Sequence, residues 1–252
     1  ELRTVPAGTT IVAEGETGSS VFAIVFGSAE VVRRPEAGGE LLAMLGPGDF
    51  FGEMALVAKV PRLANVVTTA VTGLVELTAE RLAELSKTHP RVEQVLVAYY
   101  KDRLLDGLVS MTPLLAGLSD AQRRAFVDLV GIGPVPAGTM LLEQGKPGPG
   151  LHVLLRGRCA VEGRASDGSP LRYPDLHEGD VFGEISLLHG SDATATVTAA
   201  SPCVVIGLSR RNFEAFVDEA PKVREGLLSL VEERLGRTFD LALETTFRAK
   251  VL

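Results

Sequence analysis

Two cysteines, Cys159 and Cys203, are all that the 252 residues contain, too few for a disulfide framework, and a reducing, cytoplasmic setting is the expectation. No run of 18 apolar residues occurs, so no membrane span is expected, and the N-terminal pattern of a signal peptide is missing. The chain opens at Glu1 without an initiator Met, which leaves upstream and downstream domains open. Excess positive charge is also lacking. A net charge of −7 excludes a broad nucleic-acid or anionic-lipid face, while a local basic site for one phosphate remains possible. The four histidines, His89, His152, His177 and His189, have no metal-ligand spacing, and no Ser-His-Asp or Cys-His arrangement emerges. No catalytic residue, metal or cofactor is therefore expected, and the chain reads as a non-enzyme.

What the chain does have is a repeat. An apolar content of 46% over this length supports two medium domains with real cores. Val5-Pro6-Ala7-Gly8-Thr9 recurs as Val135-Pro136-Ala137-Gly138-Thr139. The same offset carries Gly15 onto Gly145, Gly18 onto Gly148, Gly27 onto Gly157 and Val31 onto Val161. Gly48-Asp49-Phe50-Phe51-Gly52-Glu53 then recurs as Gly179-Asp180-Val181-Phe182-Gly183-Glu184, with the offset longer by a single position. The extra residue has entered a hairpin loop, where added length is tolerated.

Each copy alternates short apolar runs, such as Val21–Phe26 and Leu151–Leu155, with glycine-rich turns at Gly27-Ser28, Glu36–Gly39, Gly157-Arg158 and Ser166–Ser169. Regularly spaced short strands imply an antiparallel roll. Helices follow each roll. Thr78 caps a predicted helix from Ala79 to about Lys87, and Pro90 fits the first turn of a second. In that second helix Val92, Val95, Leu96 and Tyr99 are expected to form one apolar face. Ser119-Asp120-Ala121-Gln122 reads as a capping box opening a helix ahead of the second roll, a helix the first copy lacks. Ser209 and Pro221 repeat the parts of Thr78 and Pro90, with the last helix expected to end near Leu235. The expected fold is mainly β with flanking α: two tandem β-roll (jelly-roll-like) domains, residues 1–110 and 111–252, joined by helices.

The chemistry concentrates in Phe51-Gly52-Glu53-Met54-Ala55-Leu56-Val57-Ala58-Lys59-Val60-Pro61-Arg62-Leu63-Ala64-Asn65-Val66. A Gly-Glu turn into a short helix leaves the first N–H groups without internal partners, which suits an anion. Gly52 removes a Cβ where a ligand approaches the backbone closely. Glu53 can accept from a ribose hydroxyl, and Arg62, further along the same segment, can close on a phosphate with a planar two-pronged contact.

This segment resembles, without a gap, the phosphate-binding cassette of the cyclic nucleotide-binding domains, which include the regulatory subunits of protein kinase A and the bacterial catabolite activator proteins. The resemblance covers nearly the whole chain, twice. It implies ligand contacts from Gly52, Glu53, Met54, Ala55, Arg62, Leu63 and Ala64: Glu53 to the ribose, Arg62 to the phosphate, the Ala55 and Leu63 amides to phosphate oxygens. Family members that prefer cyclic GMP usually carry a hydroxyl residue after the arginine. Leu63 stands there, so cAMP is the expected ligand and cGMP the weaker one. Ala43 and Leu45 are candidate base walls or plain core, and Tyr99 and Tyr100 lie on a helix able to fold over the base. Their aliphatic counterparts Leu230 and Val231 favour packing over stacking.

In the second copy, Phe182–Val197, Asp192 replaces Pro61 and Ala193 replaces Arg62. Without the cation a cyclic nucleotide loses roughly 1.5–3 kcal/mol, so Gly183, Glu184, Ser186 and Thr194 form at most a weak second site. The alternative is a less acidic ligand held by Glu184, Ser186 and Thr194. Arg33-Arg34 reads as a solvated edge rather than a kinase-inhibitory sequence, and Cys159 as core.

The expected function is a cytoplasmic cyclic nucleotide sensor that binds in domain 1 and transmits through its exit helices to an unidentified protein effector, a homodimer being left open. A docking module with lapsed pockets is the alternative. A truncated transcription factor of the catabolite-activator type is the third reading, disfavoured because the stretch after Leu235 is too short for a helix-turn-helix domain.

Overall fold

The computed structural model describes residues 2–33, 38–112, 115, 117–165 and 167–251, with side chains described as far as residue 236. The chain divides into two compact units, Glu1–Leu104 and Leu105–Leu252. The division lies a few residues before the boundary read from the sequence, inside one long helix.

In the first unit the elements run β1 (Leu2–Val5), β2 (Thr10–Val12), β3 (Ser20–Phe26), β4 (Ala29–Arg33), β5 (Glu40–Leu45), β6 (Phe50–Phe51), α1 (Glu53–Ala58), β7 (Asn65–Thr68), β8 (Thr72–Thr78), α2 (Ala79–Thr88) and α3 (Arg91–Met111). The strands form two four-stranded antiparallel sheets, ordered β1-β8-β3-β6 and β2-β7-β4-β5. Period-two alternation turns Phe22 and Ile24 of β3 inward, where they meet Ala29, Leu45, Phe51, Val66 and Leu74. Phe22 stacks on Phe51 with ring centroids 5.1 Å apart, directly behind the cassette turn. Arg33 pairs with Glu40 at 3.6 Å across β4 and β5, and Arg34, like Glu36, Ala37 and Ser166 of the expected turns, lies outside the described residues.

The second unit repeats the plan. It opens with α4 (Asp120–Leu129), whose capping box is complete: Ser119 accepts from the Gln122 amide and the Gln122 side chain accepts from the Ser119 amide. Then come β9 (Gly131–Val135), β10 (Met140–Leu142), β11 (Gly150–Arg156), β12 (Cys159–Arg164), β13 (Pro170–Arg172), β14 (Val181–Phe182), α5 (Glu184–His189), β15 (Thr196–Ala199), β16 (Cys203–Ser209), α6 (Arg210–Glu219) and α7 (Pro221–Val251). Its sheets are β14-β11-β16-β9 and β10-β15-β12-β13. Cys159 and Cys203 are free and buried, their Sγ atoms 3.9 Å apart among Leu154, Phe182 and Val197. Burial, then the neighbouring Cys203, pushes the Cys159 thiol up to about 12, where it stays protonated.

The structure corrects two details of the helices. The buried stripe of α3 in the first unit is Leu96, Tyr100 and Leu104; of the expected face Leu96 is buried, Val92 and Tyr99 are half-buried, and Val95 is 56% exposed. Helix α7 continues to Val251 rather than ending near Leu235. No proline lies between these points, and the single Gly236 costs only about 1 kcal/mol in a helix.

The turn into each cassette helix requires glycine. Gly52 and Gly183 both cap their helices at φ 87°, and a Cβ on Gly183 would stand 2.3 Å from the Gly150 carbonyl oxygen. Gly183→Ala is expected to lower stability by about 1–3 kcal/mol, read as a lowered denaturant midpoint. An unchanged midpoint would show that the turn relaxes freely.

Candidate functional site

The first cassette begins where β6 ends. Its left-handed glycine turns the chain into α1, which places Glu53 at the first helical position, 1% exposed. Both Glu53 carboxylate oxygens are buried and, among the described residues, without a hydrogen-bond partner. The nearest cation is Arg103 of α3, with Nη1 3.9 Å from Oε1. Burial pushes the Glu53 carboxyl above its ordinary value, and the charges of Arg103 and Arg62 only partly offset this.

Arg62 lies in the segment between α1 and β7, held at both ends of its backbone: its amide donates to the Glu16 carbonyl at 2.8 Å, and its carbonyl accepts from the Gly15 amide at 2.8 Å. The side chain is 7% exposed. Nη1 donates to the Gly52 carbonyl at 2.7 Å and Nη2 to the Ser20 carbonyl at 2.9 Å. The guanidinium also lies 6.0 Å from the Phe22 ring centroid. Two glycines make room for it, since a Cβ on either Gly18 or Gly52 would approach the guanidinium to 2.4 Å. Burial lowers the pKa of Arg62, opposed by Glu53, Glu16 and Glu76. The sequence therefore brings a buried carboxylate and a buried guanidinium to one turn, and neither is the exposed ion pair that a bare Gly-Glu…Arg pattern would form on a surface.

The second cassette keeps the same backbone. Ala193 donates to the Lys146 carbonyl at 2.8 Å and accepts from the Gly145 amide at 2.9 Å, the contacts of Arg62 repeated. Its side chain carries no charge. Ser186, which aligns with Ala55, takes over the work of the guanidinium. Its hydroxyl donates to the Gly183 carbonyl at 3.0 Å, the counterpart of the Gly52 carbonyl, and lies 2.4 Å from where a Cβ on Gly148 would stand. Glu184 is again 1% exposed, but Arg234 of α7 reaches it directly, Nη1 to Oε1 at 2.6 Å, and also donates to the Val181 carbonyl at 2.7 Å. His152 stacks on Phe182 at 4.9 Å in place of the Phe22–Phe51 pair, and burial lowers its pKa.

Of the other residues expected at the first site, Met54 and buried Ala55 stand on α1, and Leu63 and buried Ala64 follow Arg62 towards β7. Leu45 belongs to the core, opposite Ala29, and Ala43 is half-buried opposite Val31. Tyr99 contacts the roll: its hydroxyl is 3.5 Å from Asp49 Oδ1, its ring meets Phe50 edge-on at 5.9 Å, and Arg103 donates to its hydroxyl at 3.2 Å. Tyr100 packs in the helix stripe and burial raises its pKa. In the second cassette Gly183, Glu184, Ser186 and Thr194 all line one cavity. Sequence reasoning missed Arg103 and Arg234. The signal was available, because the two arginines stand equally far along their helices from the prolines that precede or open them, Pro90 and Pro221.

Glu53 has a consequence for stability. A carboxyl that titrates higher in the folded than in the unfolded chain supports folding fully below its ordinary value of 4.5, and that support is lost as pH rises through the folded value. Glu53→Gln is expected to stabilise the ligand-free protein at pH 7 by about 1 kcal/mol, the advantage shrinking to nothing near pH 4. Parallel thermal melts across pH check this. A destabilised variant at neutral pH would show that the charge is fully compensated.

Comparison with known proteins agrees with this geometry. The Cyclic nucleotide-binding domain family matches residues 2–89 and 133–220. The cAMP-dependent protein kinase regulatory subunit of Yarrowia lipolytica is 28% identical over 210 residues, 82% of this chain and 52% of the relative. That of Schizosaccharomyces pombe is 25% identical over 245 residues, 90% of this chain and 57% of the relative. The chain thus spans about half the length of these relatives. Among solved structures, the regulatory domain of Toxoplasma gondii PKA with cAMP superposes with a TM-score of 0.51 at 22% identity, covering 92% of this chain and 85% of that one. The regulatory subunit of a cAMP-independent protein kinase A from Trypanosoma cruzi, bound to guanosine, gives 0.52 at 20% identity, covering 98% and 84%. Two rolls, two cassettes and two family matches in register place this chain in the cyclic nucleotide-binding domain family, with one such domain in each half.

Proposed function

We propose that the first unit is a cyclic nucleotide sensor, with cAMP as its preferred ligand and no catalytic activity of its own. The observation that carries this reading is Glu53, fully buried with neither oxygen hydrogen-bonded, beside the buried guanidinium of Arg62. A buried acceptor without a donor is unfavourable by about 1–3 kcal/mol, and a ribose hydroxyl would supply the missing donor. The exocyclic charge of the cyclic phosphate would meet Arg62, whose two carbonyl contacts hold its plane and leave N–H groups for an anion. The Ala55 and Leu63 amides are assigned to the phosphate oxygens.

The relatives support this assignment. The Yarrowia lipolytica and Schizosaccharomyces pombe proteins are cAMP-dependent kinase regulatory subunits, and the Toxoplasma gondii domain holds cAMP. The Trypanosoma cruzi neighbour, by contrast, is bound to guanosine, which has no phosphate. A kinase catalytic subunit is accordingly the proposed effector. Transmission would run through α3. Arg103 stands beside Glu53 and donates to Tyr99, whose hydroxyl meets Asp49, so a hydroxyl that bonds Glu53 competes with Arg103 for the same carboxylate. Ligand then shifts the balance between helix arrangements in proportion to its differential affinity for them.

Titration calorimetry tests the assignment. Wild type should bind cAMP with one strong site, and Arg62→Ala should weaken that site about ten- to hundredfold. Equal affinity for the two proteins would overturn it. Leu63→Thr should raise cGMP affinity several-fold relative to cAMP by providing a partner for the guanine amino group. No change in the ratio would remove position 63 from base selection.

A further inference from the structure

A cavity of about 180 Å³ lies in the second unit, more than ten times the roughly 15 Å³ that a single water occupies. Its walls are mostly apolar, among them Val161, Phe182 and Val197. Glu184 lines it, as do Asp175 and Asp180, and Arg234 is the one cation among its described lining residues. Arg234 is already committed to Glu184, so the cavity offers no spare positive charge to an anion. Where the first unit places a guanidinium, this one places the Ser186 hydroxyl against Gly148 and the methyl of Ala193. The carbonyl of Gly183 is satisfied by that hydroxyl, so the phosphate end is rebuilt as a neutral surface rather than left as a hole.

A second difference lies at the opposite wall. The Tyr173 amide donates to the Val161 carbonyl at 3.0 Å, which sets Tyr173 in the position that Ala43 takes opposite Val31 in the first unit. Tyr173 is half-buried and lines the cavity. An aromatic face is thus provided where the first unit has a methyl group, able to stack on a planar ring.

We infer that the second cavity binds a neutral ribonucleoside: a planar heterocycle against Tyr173, a vicinal diol on Glu184, and an unphosphorylated 5′ end at Ser186 and Ala193. The inference rests on reading the buried glutamates as hydroxyl acceptors and is independent of the ligand assigned to the first unit. A carboxylate in an apolar cavity accepts strongly from a hydroxyl donor, and Arg234 holds Glu184 in place at 2.6 Å. A cyclic phosphate entering the same space would face Asp180 and Glu184, while Asp175 is paired with Arg158 and Arg172 and the one cation among the described lining residues, Arg234, is paired with Glu184.

The test is calorimetry on the full chain with adenosine, guanosine, 2′-deoxyadenosine and cAMP. In Arg62→Ala, where cAMP binding at the first site is weakened about ten- to hundredfold, a ribonucleoside should still bind with one site and more tightly than cAMP, and the 2′-deoxy compound should bind about tenfold more weakly. In the otherwise wild-type chain, Glu184→Gln and Tyr173→Ala should each weaken the ribonucleoside by at least about tenfold, with cAMP affinity at the first site unchanged and cooperative melts confirming folding. The double variant Ser186→Ala/Ala193→Arg should exchange the preference and gain a second cAMP site. The inference fails if no ribonucleoside binds at millimolar concentration, if binding disappears with Arg62→Ala in a folded protein, or if the second unit binds cAMP as tightly as the nucleoside. Loss of cAMP binding by wild type would sink the first-unit assignment alone.

Discussion

Each cassette keeps a glutamate carboxylate out of water at the first turn of a six-residue helix, and the elements around it are arranged to tolerate that charge. Burying an ionised carboxylate is unfavourable unless a donor or an opposite charge accompanies it. The left-handed glycine aims the helix, the roll supplies the apolar enclosure, and the exit helix contributes an arginine. The two units meet the requirement to different degrees. Arg234 bonds Glu184 at 2.6 Å, whereas Arg103 stops 3.9 Å from Glu53. One glutamate is answered from within the protein and the other still lacks hydrogen-bond donors.

That contrast gives the duplication its meaning. The backbone around position 193 repeats the contacts around position 62, so the scaffold of the phosphate site survives in both copies. What differs is the chemistry mounted on it. A guanidinium that fills the space beside Gly18 and bonds the Gly52 carbonyl becomes a hydroxyl that fills the space beside Gly148 and bonds the Gly183 carbonyl. In the second copy the cassette carbonyl keeps a partner of its own, a different condition from a pocket that has collapsed.

Most of the architecture was legible in the residues, because repeated glycines and alternating apolar runs report directly on turns and sheets. Thr78, Ser119 and Ser209 announced three helix starts through local capping chemistry, and all three side chains accept the expected amide. Glu53 and Arg62 were legible as a pair because they share one short segment. The arginines on the exit helices were missed, since their link to the glutamates is made by folding and only their matching distance from Pro90 and Pro221 marks them in the sequence. One position of the α3 face, Val95, was misplaced for a related reason: Val95 and Leu96 are both apolar, and only the packing partner decides that Leu96 is buried and Val95 exposed. Helix α7 runs past the expected end near Leu235, with no proline there to stop it and one glycine that a helix tolerates.

The exchange of guanidinium for hydroxyl also bears on how such a site can change over generations. Restoring arginine at position 193 alone would bring a large side chain into space that the Ser186 hydroxyl holds, and removing Ser186 alone would leave the Gly183 carbonyl only the longer bond from the Leu187 amide. The corresponding step in the first unit, loss of Arg62 alone, would leave the Gly52 and Ser20 carbonyls bare. Each single substitution passes through a less stable protein, so the charged and neutral forms of this cassette are separated by a mutational barrier. Two copies in one chain can therefore stay different without continual selection on each residue.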